Sequence, residues 1–378
     1  MERVSEIDGL RALAALSVFV HHVFGFPAIV RITGAGWIGV DLFFVISGYL
    51  ITTILLEMRD DPHYFKNFYM RRTLRIFPPY YAFFLICISC AALAGSYHFS
   101  WRLWGALAFY GTSLVATLPW FPGAFARLPD PARAIEVTWS LSIEELFYLL
   151  WAPAVRFIKR EHLGILLFAI ILLAPAVRYY VHTPGNRTEY YFFPARMDSL
   201  AFGALFAVYR GRFRMPAKLG YLFGIGMVSS SLMLLFVADP QRNPWFSVCG
   251  YTVIAFTMTL ALAYVLDRSG GNTFVCRILR SRALLKLGTV SYMFYLLHLF
   301  VIKVFRTVFA DILVSHWALN RILQVTGSFA VTYILAALSW RYFESPILRL
   351  KSKFVSGTAN RIQPLPVTDQ QRESLETV

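Results

Sequence analysis

The sequence predicts an all-α integral membrane protein of about ten transmembrane helices plus one re-entrant or interfacial segment, and three observations carry that prediction. Hydrophobic residues make up 57% of the chain and charged residues only 15%, where a soluble chain has about 25% charged. Apolar stretches long enough to cross a hydrocarbon core about 30 Å thick, roughly 20 residues each, recur from Leu10 to the 340s. Basic residues gather in the short connectors between those stretches, as they do in loops that lie against anionic lipid. The net charge of +15 therefore reports topology. A nucleic-acid binder would collect its Lys and Arg in one domain with interleaved polar surface, and no nucleic-acid partner is expected.

The first span is expected over 10–28. MERVSEIDGLR ahead of it carries Glu2, Glu6 and Asp8, and no small-residue cleavage site follows, so this helix is expected to remain as a span. Further apolar stretches run over 37–56, 76–95, 101–118, 138–157, 163–182, 196–210, 219–238, 246–266, 287–309 and 321–343. Connectors holding Arg59, Lys66, Arg71, Arg72 and Arg75, then Arg210, Arg212, Arg214 and Lys218, then Arg268, Arg277, Arg280, Arg282 and Lys286 are expected inside, with Arg156, Lys159 and Arg160 and with Arg349, Lys351 and Lys353. Those near Arg31, Arg187, Arg242 and Asp311 are expected outside. Two interior termini need an even number of crossings, so one candidate does not cross. The weakest is 101–118, which contains Arg102, Gly105, Gly111, Thr112 and Ser113 and runs into Pro119-Trp120-Phe121-Pro122-Gly123, a turn sequence. Residues 1–350 form the membrane domain, and 351–378, polar with Pro364, Pro366, Gln370 and Gln371, read as a disordered cytoplasmic tail. Cys87, Cys90, Cys249 and Cys276 are too scattered for a disulfide framework.

An ionisable side chain near the centre of a span costs at least ~2.5 kcal/mol, so each needs a partner or a task. Arg11 lies at the inner end of the first span, with His22 eleven residues on, about 16 Å deeper at 1.5 Å per residue. His21 faces about 100° away from His22, so the two do not line one cavity equally. Asp41 enters the second span from outside to a similar depth. It is placed either to orient the imidazole or to make a packing hydrogen bond among Gly39, Ser47 and Gly48.

Thr138-Trp139-Ser140-Leu141-Ser142-Ile143-Glu144-Glu145 opens another span from the outside. Adjacent carboxylates in an apolar setting suit acid/base work; the alternative is an interfacial capping cluster with Ser140, Ser142 and Trp139. Arg196 and Asp198 open the next outward-starting span, where a local ion pair is the simplest reading. Arg71, Arg72 and Arg75 stand at the inner mouth, serving topology alone or binding phosphate groups. His298 falls near mid-membrane with Tyr295 on its helical face, and Glu344 ends the last span as a partner for an inner arginine. No Cys or carboxylate set is spaced for zinc around the histidine pair, and no metal site is expected.

Taken in order, IDGLRALAALSVFVHH, GVDLFFVISGYLI, RRTLRIFPPYY, TWSLSIEELFY, RMDSLAFGALFA, GTVSYMFYLLH and WRYFESPIL resemble the acyltransferase 3 family of membrane-bound O-acyltransferases, over roughly residues 5 to 350. The family's arginine-to-histidine motif matches Arg11 and His22 and favours His22 over His21. Its glutamate motif matches Ser142 through Glu145, with Leu146 where glutamine is common, and its cytoplasmic arginine motif matches Arg72 and Arg75. An appended extracytoplasmic esterase-like domain is not expected, so any partner step would fall to another protein.

What the resemblance implies is transfer of an acyl group, usually acetyl, from cytoplasmic acyl-CoA to a hydroxyl of a cell-surface or exported glycan: a polysaccharide, lipopolysaccharide or related glycoconjugate. It also implies a multi-pass protein of the bacterial cytoplasmic (inner) membrane, with both termini inside, acyl-CoA as donor substrate and no permanently bound cofactor. Arg11, Arg72 and Arg75 would hold the CoA phosphates. His22 would be general base or acyl carrier, with Glu144, Glu145 and Asp41 in support and Arg196, Asp198, Tyr295 and His298 on the substrate side. The alternative is a polytopic transporter of a glycan or lipid-linked precursor, since pore charges also serve passage; the paired broken helices of related halves are not visible in the sequence.

Overall fold

The computed structural model describes residues 4–24, 35–94, 100–121, 123–183, 188–211, 219–236, 243–308 and 317–354. Among these residues all regular structure is helical. The principal helices are α1 (Ser5–Phe24), α2 (Gly39–Glu57), α3 (Tyr64–Leu93), α4 (Trp101–Ala108), α5 (Thr112–Thr117), α6 (Trp139–Phe157), α7 (Arg160–Val181), α8 (Phe193–Tyr209), α9 (Leu219–Phe236), α10 (Tyr251–Asp267), α11 (Arg282–Val308) and α12 (Trp317–Ser339). The expected outer connectors near Arg31, Arg187, Arg242 and Asp311, the basic residues Arg212, Arg214 and Lys218, and the tail over 355–378 lie outside the described residues. Leu350–Phe354, expected within or at the edge of that tail, form a short 3-10 helix.

Among the described residues, seven helices are long and apolar enough to cross a membrane, where the sequence predicts about ten spans. Of the other expected spans, α6 carries Glu144, Glu145 and Arg156, and α8 has only 17 residues. In the segment 101–118 the chain makes two helices of 8 and 6 residues, about 12 and 9 Å long, each too short to cross alone. They are separated at Phe109, Tyr110 and Gly111, where Tyr110 takes a positive φ of 57°.

Helix α3 begins at Tyr64, well ahead of the apolar run that starts at 76. Hydropathy registers apolarity, whereas the amphipathic turn before it is held by packing. The Tyr64 hydroxyl donates to the Ala152 carbonyl at 2.9 Å and the Tyr69 hydroxyl to that of Leu149 at 3.3 Å. Arg72 consequently sits over the Tyr148 ring at 4.7 Å, midway along α6.

Burial departs from that of a soluble protein in two respects. Ile165, Phe168, Leu172 and Leu173 of α7 are exposed, while Asp41, Arg178, Arg196 and Asp198 are fully buried. In a bilayer the apolar belt meets lipid, and the polar groups must be satisfied within the bundle.

A close helix crossing joins α2 to α8. A Cβ added at Gly48 would strike the Leu200 carbonyl oxygen, and one at Gly203 the Val45 carbonyl oxygen. Small residues let the two backbones touch. Gly203→Ala should force the helices apart at an overpacking cost of about 1–3 kcal/mol, read as a lower thermal unfolding midpoint in detergent. Gly105→Ala, where nothing lies within 4 Å, should not lower it. Equal midpoints for both variants would disprove the close crossing.

Candidate functional site

Five helices build one polar cavity of about 70 Å³. Arg11 reaches it from α1, Ser47 from α2, and Arg72 and Arg75, one turn apart, from α3; α6 supplies Ser140, Glu144 and Tyr148, and α11 supplies Ser291, Tyr292 and Tyr295. Glu144 is fixed at both oxygens, accepting from the Ser47 hydroxyl at 2.9 Å and the Tyr148 hydroxyl at 3.0 Å. Three guanidinium groups thus face one carboxylate around the cavity. Arg11 has Asp8 at 3.8 Å; no carboxylate lies within ion-pair distance of Arg72 or Arg75 among the described residues. Such an excess of cations, with forked donors, is matched to a phosphate-bearing anion. Glu344, which accepts from Ser339 at 3.0 Å, lies in electrostatic reach of Arg75.

The adjacent glutamates part company because successive helical residues point about 100° apart. Glu145 faces a second cavity of about 280 Å³ between α3, the Phe109–Gly111 break, α5 and α6. Arg72 and Tyr148 border both cavities.

His22 does not line the first cavity, but it is tied to its wall. Nδ1 of His22 lies 2.9 Å from the Val18 carbonyl oxygen and 3.1 Å from Nε2 of His298, whose Nδ1 lies 2.5 Å from the Tyr295 carbonyl oxygen. A carbonyl only accepts, so in the neutral rings both Nδ1 atoms carry the proton. Nε2 of His298 then accepts from His22, and Nε2 of His22 keeps its lone pair. The Tyr295 hydroxyl, facing the cavity, meets Ser140 Oγ at 2.7 Å and donates to the Val137 carbonyl at 3.2 Å. The rings of Tyr295 and His298, placed on one helical face by their spacing, make a tilted contact with centroids 5.6 Å apart.

Asp41, for which the sequence leaves open both orienting the imidazole and a helix-packing hydrogen bond, bonds across to α8. Arg196 donates to its Oδ1 at 2.8 Å and the Ser199 hydroxyl at 2.7 Å. Arg196 and Asp198 do not pair with each other: Asp198 takes Arg178 at 2.9 Å and the Thr252 hydroxyl at 2.7 Å. Arg178 is completed by the carbonyls of Val248 at 3.0 Å and Ala195 at 2.6 Å and by Thr252. Nε and Nη1 of Arg196 have no hydrogen-bond partner among the described residues. Its guanidinium instead lies 4.3 Å over the Tyr251 ring and 5.3 Å from that of Tyr190, a desolvated cation on aromatic faces. Asp41, Arg196 and Asp198 are fully buried and none lines either cavity.

Arg178 and Tyr148 were not among the residues the sequence singled out, and Ser47 was named there only for helix packing. Arg178 was detectable as a charge inside the apolar stretch 163–182, and Tyr148 as the residue one turn beyond Glu144. Among the described residues no group of three or more His, Cys, Asp or Glu is placed to hold a metal ion.

Comparison with known proteins places this architecture. The chain is 28% identical over 377 residues to the peptidoglycan O-acetyltransferase OatA of Listeria monocytogenes, which covers 91% of this chain and 56% of that protein. It is 30% identical over 374 residues to a Bacillus subtilis protein named "Putative peptidoglycan O-acetyltransferase YrhL", covering 90% and 54%. A Staphylococcus aureus protein named "Putative O-acetyltransferase" is 26% identical over 367 residues, covering 92% and 57%. The chain thus spans about half the length of the curated relatives it matches. No solved structure matches it. The acyltransferase 3 profile, described as an acyltransferase domain, matches residues 4–341, from the start of α1 to the end of α12, and the chain belongs to that family.

Proposed function

We propose that this protein transfers an acetyl group from acyl-CoA to a hydroxyl of an exported glycan, with peptidoglycan as the first acceptor to test because two relatives carry that name. The observation that carries the reading is the cavity where Arg11, Arg72 and Arg75 face a single carboxylate in a chain of an acyltransferase family. The arginines hold the diphosphate and 3′-phosphate of the donor, and the pantetheine arm runs along α1 toward His22. Nε2 of His22 takes the proton of the acceptor hydroxyl as its oxygen attacks the thioester carbon. The C–S bond breaks, the ester C–O bond forms, and the proton passes to the departing thiolate. His298 positions the imidazole, and Glu144, Tyr148 and Tyr295 shape the donor cavity. Glu145 and the pair of buried ion pairs stand outside it. Membership of an acyltransferase family does not favour the transporter alternative.

The test follows label from radiolabelled acetyl-CoA into peptidoglycan, other glycans and lipid extracts, using membranes that carry the protein. Arg75→Gln should raise the KM for acetyl-CoA by about tenfold or more, since a charge-assisted hydrogen bond contributes roughly 1.5–3 kcal/mol, with a smaller change in kcat. Absence of label from every fraction would overturn the proposal. An unchanged KM would remove Arg75 from donor binding.

A further inference from the structure

The 280 Å³ cavity on the far side of Arg72 and Tyr148 belongs to neither the donor path nor the histidine chain. Its walls are apolar (Phe77, Phe109, Leu114, Leu146 and Leu149). Three of these side chains are turned outward: Phe109 is 87% exposed, Leu149 58% and Leu114 41%. They sit at the α4–α5 break, on α5 and midway along α6, so in a bilayer the mouth of the cavity opens sideways onto acyl chains rather than onto water. At its inner end are polar groups that the protein leaves unsatisfied. The Tyr110 hydroxyl is buried without a hydrogen-bond partner, on a side chain only 8% exposed. It lies in electrostatic reach of Glu145, whose carboxylate has no hydrogen bond to any described residue. A buried hydroxyl without a partner, and a carboxylate that has the Arg72 charge nearby but no hydrogen-bond donor, are each costly against hydrocarbon, and the backbone at Tyr110 is in the left-handed region, a conformation that is itself unfavourable for a bulky side chain.

We infer that this cavity binds the hydroxyl-bearing head of a neutral single-chain lipid, the chain leaving sideways past Phe109, Leu114 and Leu149. One guanidinium and one carboxylate border the cavity, so its formal charge is balanced and a head without net charge fits. A head with two hydroxyls donates one proton to Glu145 and pairs with Tyr110 through the other oxygen, satisfying both groups at once. The volume equals about nine water-sized groups, enough for a glyceryl head and the first methylenes of its chain. The inference goes beyond the acyl-transfer reading and does not depend on it, since binding needs neither donor nor turnover.

The probe is a monoacylglycerol carrying a diazirine in its chain, photolysed with the full chain in phosphatidylcholine nanodiscs, the adducts being mapped by mass spectrometry. Labelling should concentrate on residues 105–117 and 142–149. A diazirine hydrocarbon of the same length without hydroxyls should label these segments about tenfold less, the loss expected when a hydrogen bond to a charged group is removed. Leu114→Trp should fill the mouth and abolish the label, while Leu173→Trp on the exposed face of α7 should leave it intact. Equal labelling by both probes, or labelling spread evenly over all lipid-facing helices, would overturn the inference. The probe comparison needs no variant to fold.

Discussion

Replacement of His22 by alanine should lower acetyl transfer by about 10²–10⁴-fold in kcat, the range a positioned general base contributes. The KM for acetyl-CoA should change little, because Arg11, Arg72 and Arg75 surround a cavity that His22 does not line. The measurement is label transfer from acetyl-CoA in membranes with matched amounts of wild type and variant. His298→Ala tests the positioning role separately: it removes the acceptor of the His22 Nδ1 proton but leaves Val18, so kcat should fall by less than in His22→Ala, again at near-constant KM. Transfer by His22→Ala at the wild-type rate would end any catalytic role for this residue. Equal losses in the two variants would mean that the imidazoles act as one unit.

The second large effect should be on stability. Asp41 and Arg196 are both fully buried, and removing one partner leaves an uncompensated charge inside the bundle, at a cost of about 3–5 kcal/mol. Arg196→Met and Asp41→Ala should each lower the thermal unfolding midpoint in detergent sharply. The double variant removes both charges and should lose clearly less than the sum of the two single losses, the signature of direct coupling. Additive losses would show that the ion pair is not what each residue contributes. Ser199 also donates to Asp41, so Ser199→Ala should be the mildest change in the set.

Helix identity and local spacing were legible from residue order. The apolar stretches mark the helices because burial in hydrocarbon demands about 20 apolar residues in a row. The Arg11-to-His22 interval fixes an axial separation of about 16 Å, since the rise per residue is constant. The parting of Glu144 and Glu145 into separate cavities also follows from helical rotation, although nothing local says what either side chain will meet. The early start of α3 was not legible from hydropathy, because its first turns are amphipathic and held by contacts to α6 rather than by lipid.

Tertiary structure alone decided which charges pair. Asp41 and Arg196 are 155 residues apart and His22 and His298 are 276 apart; sequence proximity instead pointed to Arg196 with Asp198. Adjacent turns of a helix bring two charges near each other, but the partner each one takes depends on which side of the helix faces a neighbour. That rotation is set by close backbone crossings such as the one at Gly48 and Gly203. A bilayer supplies no hydrophobic driving force between helices, so packing contacts scattered along the whole chain determine the orientation, and no short stretch of sequence records it.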